Sequence, residues 1–459
     1  MRLIYLITLV IAVIVVSSCA PPPPPPAPAY TPTPTPTEPT QPIPEEILAS
    51  RFIINVIDAD IEGVVELGIR WAKPLANPHG PFIWGLIERE RGEYNWQLTD
   101  RYIQKVQGYN LAILAVIWPF AEWDQANWGP VAGTEPFIFE EEGWVSRSRR
   151  KPYDMDAYRR FVSAAVERYD GDGIGDMPGL RYPIKHWQAH CSPSVQSETE
   201  EEDYFTYFEG SPEDYLEILK ATYQAVKEAD PEAKVLAGGM GTMKPEAISF
   251  WRPVFEKGSQ YFDIASIHIV WPLAEFGVAK HPKAELIAMA EGYVPEFKKL
   301  LSEYGIDKPI WQTSTQYYFS ENVSPEEFGQ ILVRSYVIAF AYGVDKVEYE
   351  IFRPFPFEPP FMKQSALVDE NGEKWPAYYG LKTLIEKLDK FTSAEKLAEG
   401  QYRFTVEEKV VYVLWGSGEI PEEITGEVLI TDIYGKETRI NSSAIKLTES
   451  PIFVEELPH

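Results

Sequence analysis

From about Arg51 the chain alternates short apolar runs with amphipathic stretches of helical period, and no other feature restricts its fold as much. A short apolar run bounded by turn residues suits a strand buried on both faces, and a helix after each strand covers the sheet. The strands are expected at Val64–Trp71, Phe82–Ile87, Leu111–Trp118, Ile184–His190, Lys234–Ala237, Phe262–Ile269, Pro309–Ser314 and Lys346–Phe352. Helices are expected between them. Asp154–Tyr169 places Tyr158, Phe161, Val162, Ala165 and Val166 at helical spacing, and Pro212–Ala229 and Pro325–Tyr342 each open on a proline suited to a first turn. The pattern predicts an α/β fold, a (β/α)8 TIM barrel over residues 46–392. A doubly wound open sheet fits less well, because no glycine-rich phosphate fingerprint follows the first strand.

The two ends read differently. After a last helix at Tyr378–Lys390 the period becomes two, with strands at Tyr402–Phe404, Val410–Leu414, Glu427–Asp432 and Ile452–Glu455, which predicts a small β-sandwich over residues 393–459. At the start, Arg2 precedes an apolar stretch from Leu3 to Val16 that is short for a membrane span, and Val16-Ser17-Ser18-Cys19 follows. Residues 1–19 therefore read as a signal peptide that resembles a prokaryotic lipobox, with Cys19 as the lipidated residue. A lipid-anchored, exported protein at the cell surface is expected, its acyl chains contributing about 0.8 kcal/mol per buried CH2 to membrane attachment. Residues 20–45 form a Pro/Thr-rich tether, which favours extended polyproline II and cannot build a core.

A net charge of −27 and the lack of any basic patch argue against nucleic acid as a partner. Only Cys19 and Cys191 are present, so once Cys19 is modified no internal disulfide can form and the core must hold the fold. Thirteen Trp and 26 Tyr would suit stacking on sugar rings, although most aromatic rings in any barrel are core.

Several segments together resemble the clan A glycoside hydrolases, especially the β-xylosidase-like and cellulase-like members: LGIRWAKP, RGEYNWQLTD, FDIASIHIVW, DIYGKETRI and SPIFVEEL. The resemblance spans most of residues 51–459. It implies a carbohydrate ligand, no cofactor, and an acid/base and a nucleophile at the ends of strands four and seven. It also implies that Arg70 supports the nucleophile and that His268 lies in the active site, with Trp118, Trp271 and Gln316 lining a sugar-binding groove. Retaining glycosidases need two carboxyl groups about 5–5.5 Å apart. Here the family's Asn-Glu-Pro is matched by HWQAHCSP, with Cys191 at the Asn and Ser192 at the acid/base position. The Thr-Glu pair of strand seven is matched by PIWQTSTQ, with Ser314 at the nucleophile position, while Trp187, Pro193, Trp311 and Thr313 keep the register. Val270 stands where the family often has Tyr. A serine hydroxyl has no labile proton near neutral pH and, unactivated, cannot displace a glycosidic oxygen. The expectation is a carbohydrate-binding pseudoenzyme, the alternative being a glycosidase inactivated in this chain or one that uses another carboxylate such as Glu122, Glu348 or Glu350.

Three other readings compete for the same residues. His190 and Ser192 are two apart and could pair as in a Ser–His hydrolase, but no G-x-S-x-G elbow exists and no acid is placed to orient the ring. His190 with Cys191 could ligate a metal, yet consecutive strand residues point to opposite faces. The run DGDGIGD offers Asp170, Asp172 and Asp176 as oxygen ligands for a structural calcium, or as turn formers. Trp123 and Trp128, in loops after strand three, offer either sugar platforms or ordinary packing.

Overall fold

The computed structural model describes residues 40–56, 60–74, 80–129, 137–139, 143–145, 148–194, 207–241, 243–271, 283–317, 323–354 and 365–457. The expected signal peptide, Cys19 and most of the tether lie outside the described residues, as do the side chains of Val270 and Trp271.

Eight parallel strands form the barrel: β1 (Phe52–Asn55), β2 (Trp71–Lys73), β3 (Ala112–Ile117), β4 (His186–Ala189), β5 (Lys234–Leu236), β6 (Ala265–Trp271), β7 (Ile310–Tyr317) and β8 (Lys346–Tyr349). Hydrogen bonds run in the order β6-β7-β8-β1-β2-β3-β4-β5. Parallel bridges Leu236↔Ile264 and Met240↔Ile267 then join β5 to β6 and close the ring. Each strand is followed by a helix: α1 (Ile61–Leu67), α2 (Gln97–Gly108), α3 (Met155–Tyr169), α4 (Pro212–Ala229), α5 (Pro245–Gly258), α6 (Lys283–Glu303), α7 (Pro325–Ala341) and α8 (Pro376–Leu388). Local chemistry starts the long helices. Ser211 with Asp214, and Ser324 with Glu327, form reciprocal capping boxes ahead of prolines at the first turns of α4 and α7. Asp154 caps α3 by accepting from the Ala157 N–H. Each such cap contributes about 1 kcal/mol.

The sequence expectation fails at its first two strands. Residues 52–55, where no strand is expected, are the fully buried β1. Val64 belongs to helix α1, whose apolar Ile61, Val64 and Leu67 fall on one helical face, and Gly68 at φ 96° ends that helix in the left-handed conformation. The run Phe82–Ile87 is a bridge at Ile83 and a helical turn from Trp84, not a strand. A continuous apolar run does not distinguish a buried strand from a buried turn, which is how the error arose.

Inside the barrel the lower layer is apolar. Ile53, Trp71, Ala112, Leu114, Leu236, Ile264 and Trp311 pack together with Ile43 and Ile47, which a one-turn helix, Glu45–Ala49, brings under the barrel floor. Trp71 donates its indole N–H to the Ile47 carbonyl (2.7 Å), and Lys346 Nζ donates to the Leu48 carbonyl (2.7 Å) and to that of Ser50. One layer higher the interior turns polar, with Asn55, Lys73, Gln188, Ser266, His268, Thr313 and Glu348 all buried. A barrel interior is ordinarily filled by branched apolar side chains. Polar groups there cost desolvation unless each is partnered, which singles out the upper layer as the place where chemistry displaced packing.

Six antiparallel strands follow α8: β9 (Phe391–Ala398), β10 (Gln401–Val406), β11 (Lys409–Leu414), β12 (Glu427–Asp432), β13 (Glu437–Asn441) and β14 (Ile452–Glu456), ordered β9-β10-β11-β14-β12-β13. Alternation along β11 sends Val411 and Val413 into the main core and Tyr412 and Leu414 into a second, small core with Ile424, Val428 and Val454. This is the small β-sandwich domain expected at the C-terminus.

Candidate functional site at the barrel mouth

The C-terminal ends of the strands carry the site in two halves. In the first half β4 stops at Ala189 and the chain turns sharply, with His190 at φ 72° and Ser192 at φ 48°, both in the left-handed region. Non-glycine residues rarely occupy that region, and they do so mostly where the surroundings over-determine the backbone. The turn aims Ser192 at β6. Its hydroxyl lies 2.5 Å from His268 Nδ1, and His268 Nε2 lies 3.0 Å from Thr313 Oγ1. Gln188 Nε2 donates to Thr313 Oγ1 (3.0 Å), and Thr313 and Ser266 share a hydroxyl–hydroxyl bond. His268 rests directly on Gly239, where an added Cβ would fall 1.9 Å from ring atoms. Complete burial, with the charge of Lys73 nearby, pushes His268 well below the usual histidine range. The ring is therefore neutral, and this half of the mouth is an uncharged relay of hydroxyls, an amide and an imidazole.

The second half is charged. Glu350, just past β8, accepts from Ser314 Oγ on Oε2 (2.8 Å) and from Asn55 Nδ2 on Oε1 (3.2 Å), and its own N–H donates to the Thr315 carbonyl (3.0 Å). Lys73 Nζ sits 3.7 Å from Glu350 Oε2 and 3.7 Å from Glu348 Oε1. Burial works against the Lys73 ammonium, but the two carboxylates outweigh it and hold Lys73 above the ordinary lysine range. Burial pushes Glu348 well above the carboxylate range, so two acids share one cation and the deeper acid is the one driven towards its neutral form. The side chain of Glu348 is 0% exposed and that of Glu350 is 22% exposed, so of the two acids only the Glu350 side chain reaches solvent.

A backbone irregularity makes the Ser314 contact. In the β6–β7 ladder Ile267 pairs with Gln312 and His268 with Ser314, leaving Thr313 as an extra residue. Strict alternation from Trp311 would point Ser314 outward; the bulge at Thr313 re-aims it to the interior. Gln316, two residues on, follows on the same face and is buried. The halves adjoin: Cys191 is near enough to Lys73 and Glu350 to feel both charges, and burial pushes its thiol up to about 11.

The other candidates fall elsewhere. Arg70 lies at the opposite, N-terminal end of β2, where its guanidinium donates to the Ile69 carbonyl, so it does not approach Ser314. Lys73, three residues on and missed in the sequence, takes the supporting position. Trp118 is buried and stacks on His190 (5.1 Å between ring centroids), so its ring offers no open face. His190 is boxed in by Trp118, Phe120, Phe208 and Tyr215 rather than paired with Ser192, and burial pushes it down to about 3. That packing removes both the His190–Ser192 dyad and the His190–Cys191 metal reading. Glu122 is exposed. Trp123 packs edge-on against Trp84, and Trp128 is exposed beside Tyr153. Trp271 ends β6 and faces Tyr317 in register. The carboxylates of Asp170, Asp172 and Asp176 lie within 4.8 Å of one another, but they accept the N–H groups of Gly171, Asp172, Gly173 and Ile174. Burial pushes Asp170 up to about 7, which relieves the crowding of charge. Turn chemistry accounts for that loop without an ion.

No protein-family profile and no curated protein matches the sequence. Solved structures do match the fold. A family 39 glycoside hydrolase from the gut symbiont Bacteroides cellulosilyticus WH2 superposes over 91% of this chain and 82% of its own, with a TM-score of 0.60 and 17% identity. A monomeric β-xylosidase from Caulobacter crescentus CB15 covers 92% and 97%, with a TM-score of 0.59 and 12% identity. A GH30 endoxylanase from Clostridium papyrosolvens C71 covers 92% and 98%, with a TM-score of 0.52 and 13% identity. At these identities the likeness is one of architecture, and this chain has the fold of clan A glycoside hydrolases.

Proposed function

We propose that this chain is an exported, lipid-anchored protein that binds a β-linked oligo- or polysaccharide at the barrel mouth without hydrolysing it by the two-carboxylate retaining route. One observation carries the reading. The Ser192 hydroxyl stands just past the end of β4 and that of Ser314 inside the C-terminal half of β7, and among the described residues the acid hydrogen-bonded to either of them is Glu350 alone. A neutral His268 that burial keeps from protonating cannot serve as the acid in place of a carboxyl group. Nor does the Ser192–His268 pair suit a serine nucleophile. Among the described residues no carboxylate is bonded to the ring to stabilise the imidazolium that nucleophilic attack would create. The lipobox-like Val16-Ser17-Ser18-Cys19 supports the anchor.

Calorimetry of the mature chain against xylan, mixed-linkage β-glucan and their oligosaccharides tests the binding, with association expected and no release of reducing ends. Steady hydrolysis of an unactivated polysaccharide would overturn the reading, and failure to bind any glycan would remove the carbohydrate assignment altogether. A restored chain, Cys191→Asn, Ser192→Glu and Ser314→Glu with Glu350→Gln to remove the adjoining like charge, is expected to gain activity on aryl β-glycosides. Cys19→Ala is expected to move the protein from the membrane to the soluble fraction.

A further inference from the structure

We infer that Glu350 is a nucleophile towards the anomeric carbon of a bound glycoside whose leaving group departs without a proton, so that the chain performs half of a glycosidase reaction and stops. This rests on the carbohydrate reading above and deepens it. Four properties of the residue carry the inference. It lies at the C-terminal ends of the strands, where barrel enzymes place reacting groups. Its side chain is the partly open member of the buried Lys73 cluster, whereas that of Glu348 is sealed. Both oxygens are fixed, Oε2 by Ser314 and Lys73 and Oε1 by Asn55, on three different strands. Its N–H is held by Thr315, so neither backbone nor carboxylate is free to swing away. Holding a carboxylate in one geometry removes the reorganisation that attack on C1 would otherwise require. A side chain serving only to pair with Lys73 would have no need of solvent access.

The step balances without an acid. A Glu350 oxygen forms a bond to C1, the C1–fluorine bond of a glycosyl fluoride breaks, and fluoride departs with the electron pair. A natural glycoside needs its leaving oxygen protonated, and the group at the end of β4 is the Ser192 hydroxyl bound to a neutral imidazole. Without general acid catalysis the rate on such substrates is expected to fall by about 10²–10⁴-fold. Hydrolysis of the ester then has only the buried His268 imidazole beside Ser192 to draw on, a base that burial weakens, so the glycosyl–Glu350 adduct accumulates.

The test incubates the full mature chain with 2-deoxy-2-fluoro-β-xylosyl, -glucosyl and -galactosyl fluorides, and follows intact mass and peptide maps. Calorimetry with the parent sugars is run in parallel. One added glycosyl residue on the peptide carrying Glu350 is expected, absent from Glu350→Gln and formed more slowly in Ser314→Ala. Because the label is mapped on the unaltered chain, the result does not depend on either variant folding. Label on any other residue overturns the inference, as does no label from a sugar that calorimetry shows to be bound. No label together with no binding of any sugar overturns both this inference and the carbohydrate reading.

Discussion

At the end of β4 the chain has a neutral hydroxyl–imidazole relay; at the ends of β8 and β2, a few side chains away, it has two carboxylates and a lysine. Both halves are buried and both are polar, yet they solve desolvation differently. The relay gives each His268 nitrogen a neutral partner and carries no net charge, so burial costs it little beyond ordering. The charged half keeps Lys73 against Glu348 and Glu350, an arrangement that a well-packed apolar replacement would often match in stability. A costly cluster retained at the mouth of a barrel marks function more than folding. The contrast teaches that the two serines are not equivalent. Ser192 faces a ring that has no charge to give, whereas Ser314 faces a carboxylate that the neighbouring strand supplies.

The largest expected effect breaks the charged half. Lys73→Met leaves two acids without their cation and should cost about 3–5 kcal/mol in urea unfolding, and Glu348→Gln in the same chain should recover most of it. If the single variant is as stable as the parent, the cluster carries no charge to compensate. On the neutral side, Gly239→Ala forces a Cβ into the His268 ring and should cost about 1–3 kcal/mol, with loss of the Ser192–His268 bond visible in imidazole NMR shifts.

Acid sharpens the comparison from the histidine side. His190 titrates near 6.5 when unfolded and near 3 when folded, and His268 is lowered in the same direction. Between those values the unfolded chain binds more protons, so stability is fully present above about pH 6.5 and is lost as the pH falls towards 3. Each histidine contributes a slope of about 1.4 kcal/mol per pH unit. His190→Asn, which tolerates the left-handed backbone, should flatten the acid limb of a melting-temperature profile by one such share. The smallest effect is a difference between serines. Ser192→Ala strands His268 Nδ1 without a partner and should cost about 1–3 kcal/mol, whereas Ser314→Ala leaves Glu350 its Asn55 and Lys73 contacts and should cost about 0.5–1.5 kcal/mol. Equal costs would erase the distinction between the two halves.

Much of the barrel was legible from residue order, because β3 to β8 and helices α3, α4 and α7 are written in period, caps and turn residues that act over a few positions. The first turn of the barrel was not, since Phe52–Asn55 is only four residues long and Ile61–Leu67 is apolar enough to pass for a strand. Within the site, Ser192, Ser314 and His268 could be located as strand ends, and Glu350 entered only as an alternative. Lys73 was overlooked in favour of Arg70, because a strand expected at Val64–Trp71 puts Arg70 near its mouth end, whereas β2 begins at Trp71 and ends at Lys73.

The sequence by itself determined the architecture, the acidity and the serines that follow β4 and lie within β7, all properties of short segments or of composition. Tertiary structure alone decided the chemistry. The bulge at Thr313 turns Ser314 inward, closure of the ring brings Asn55 and Lys73 to Glu350, and the left-handed turn after Ala189 sets Ser192 on His268. The physical reason is range. Periodicity and capping are settled among neighbours in the chain, whereas a carboxylate's partners and solvent access are settled by strands that meet only once the barrel has closed.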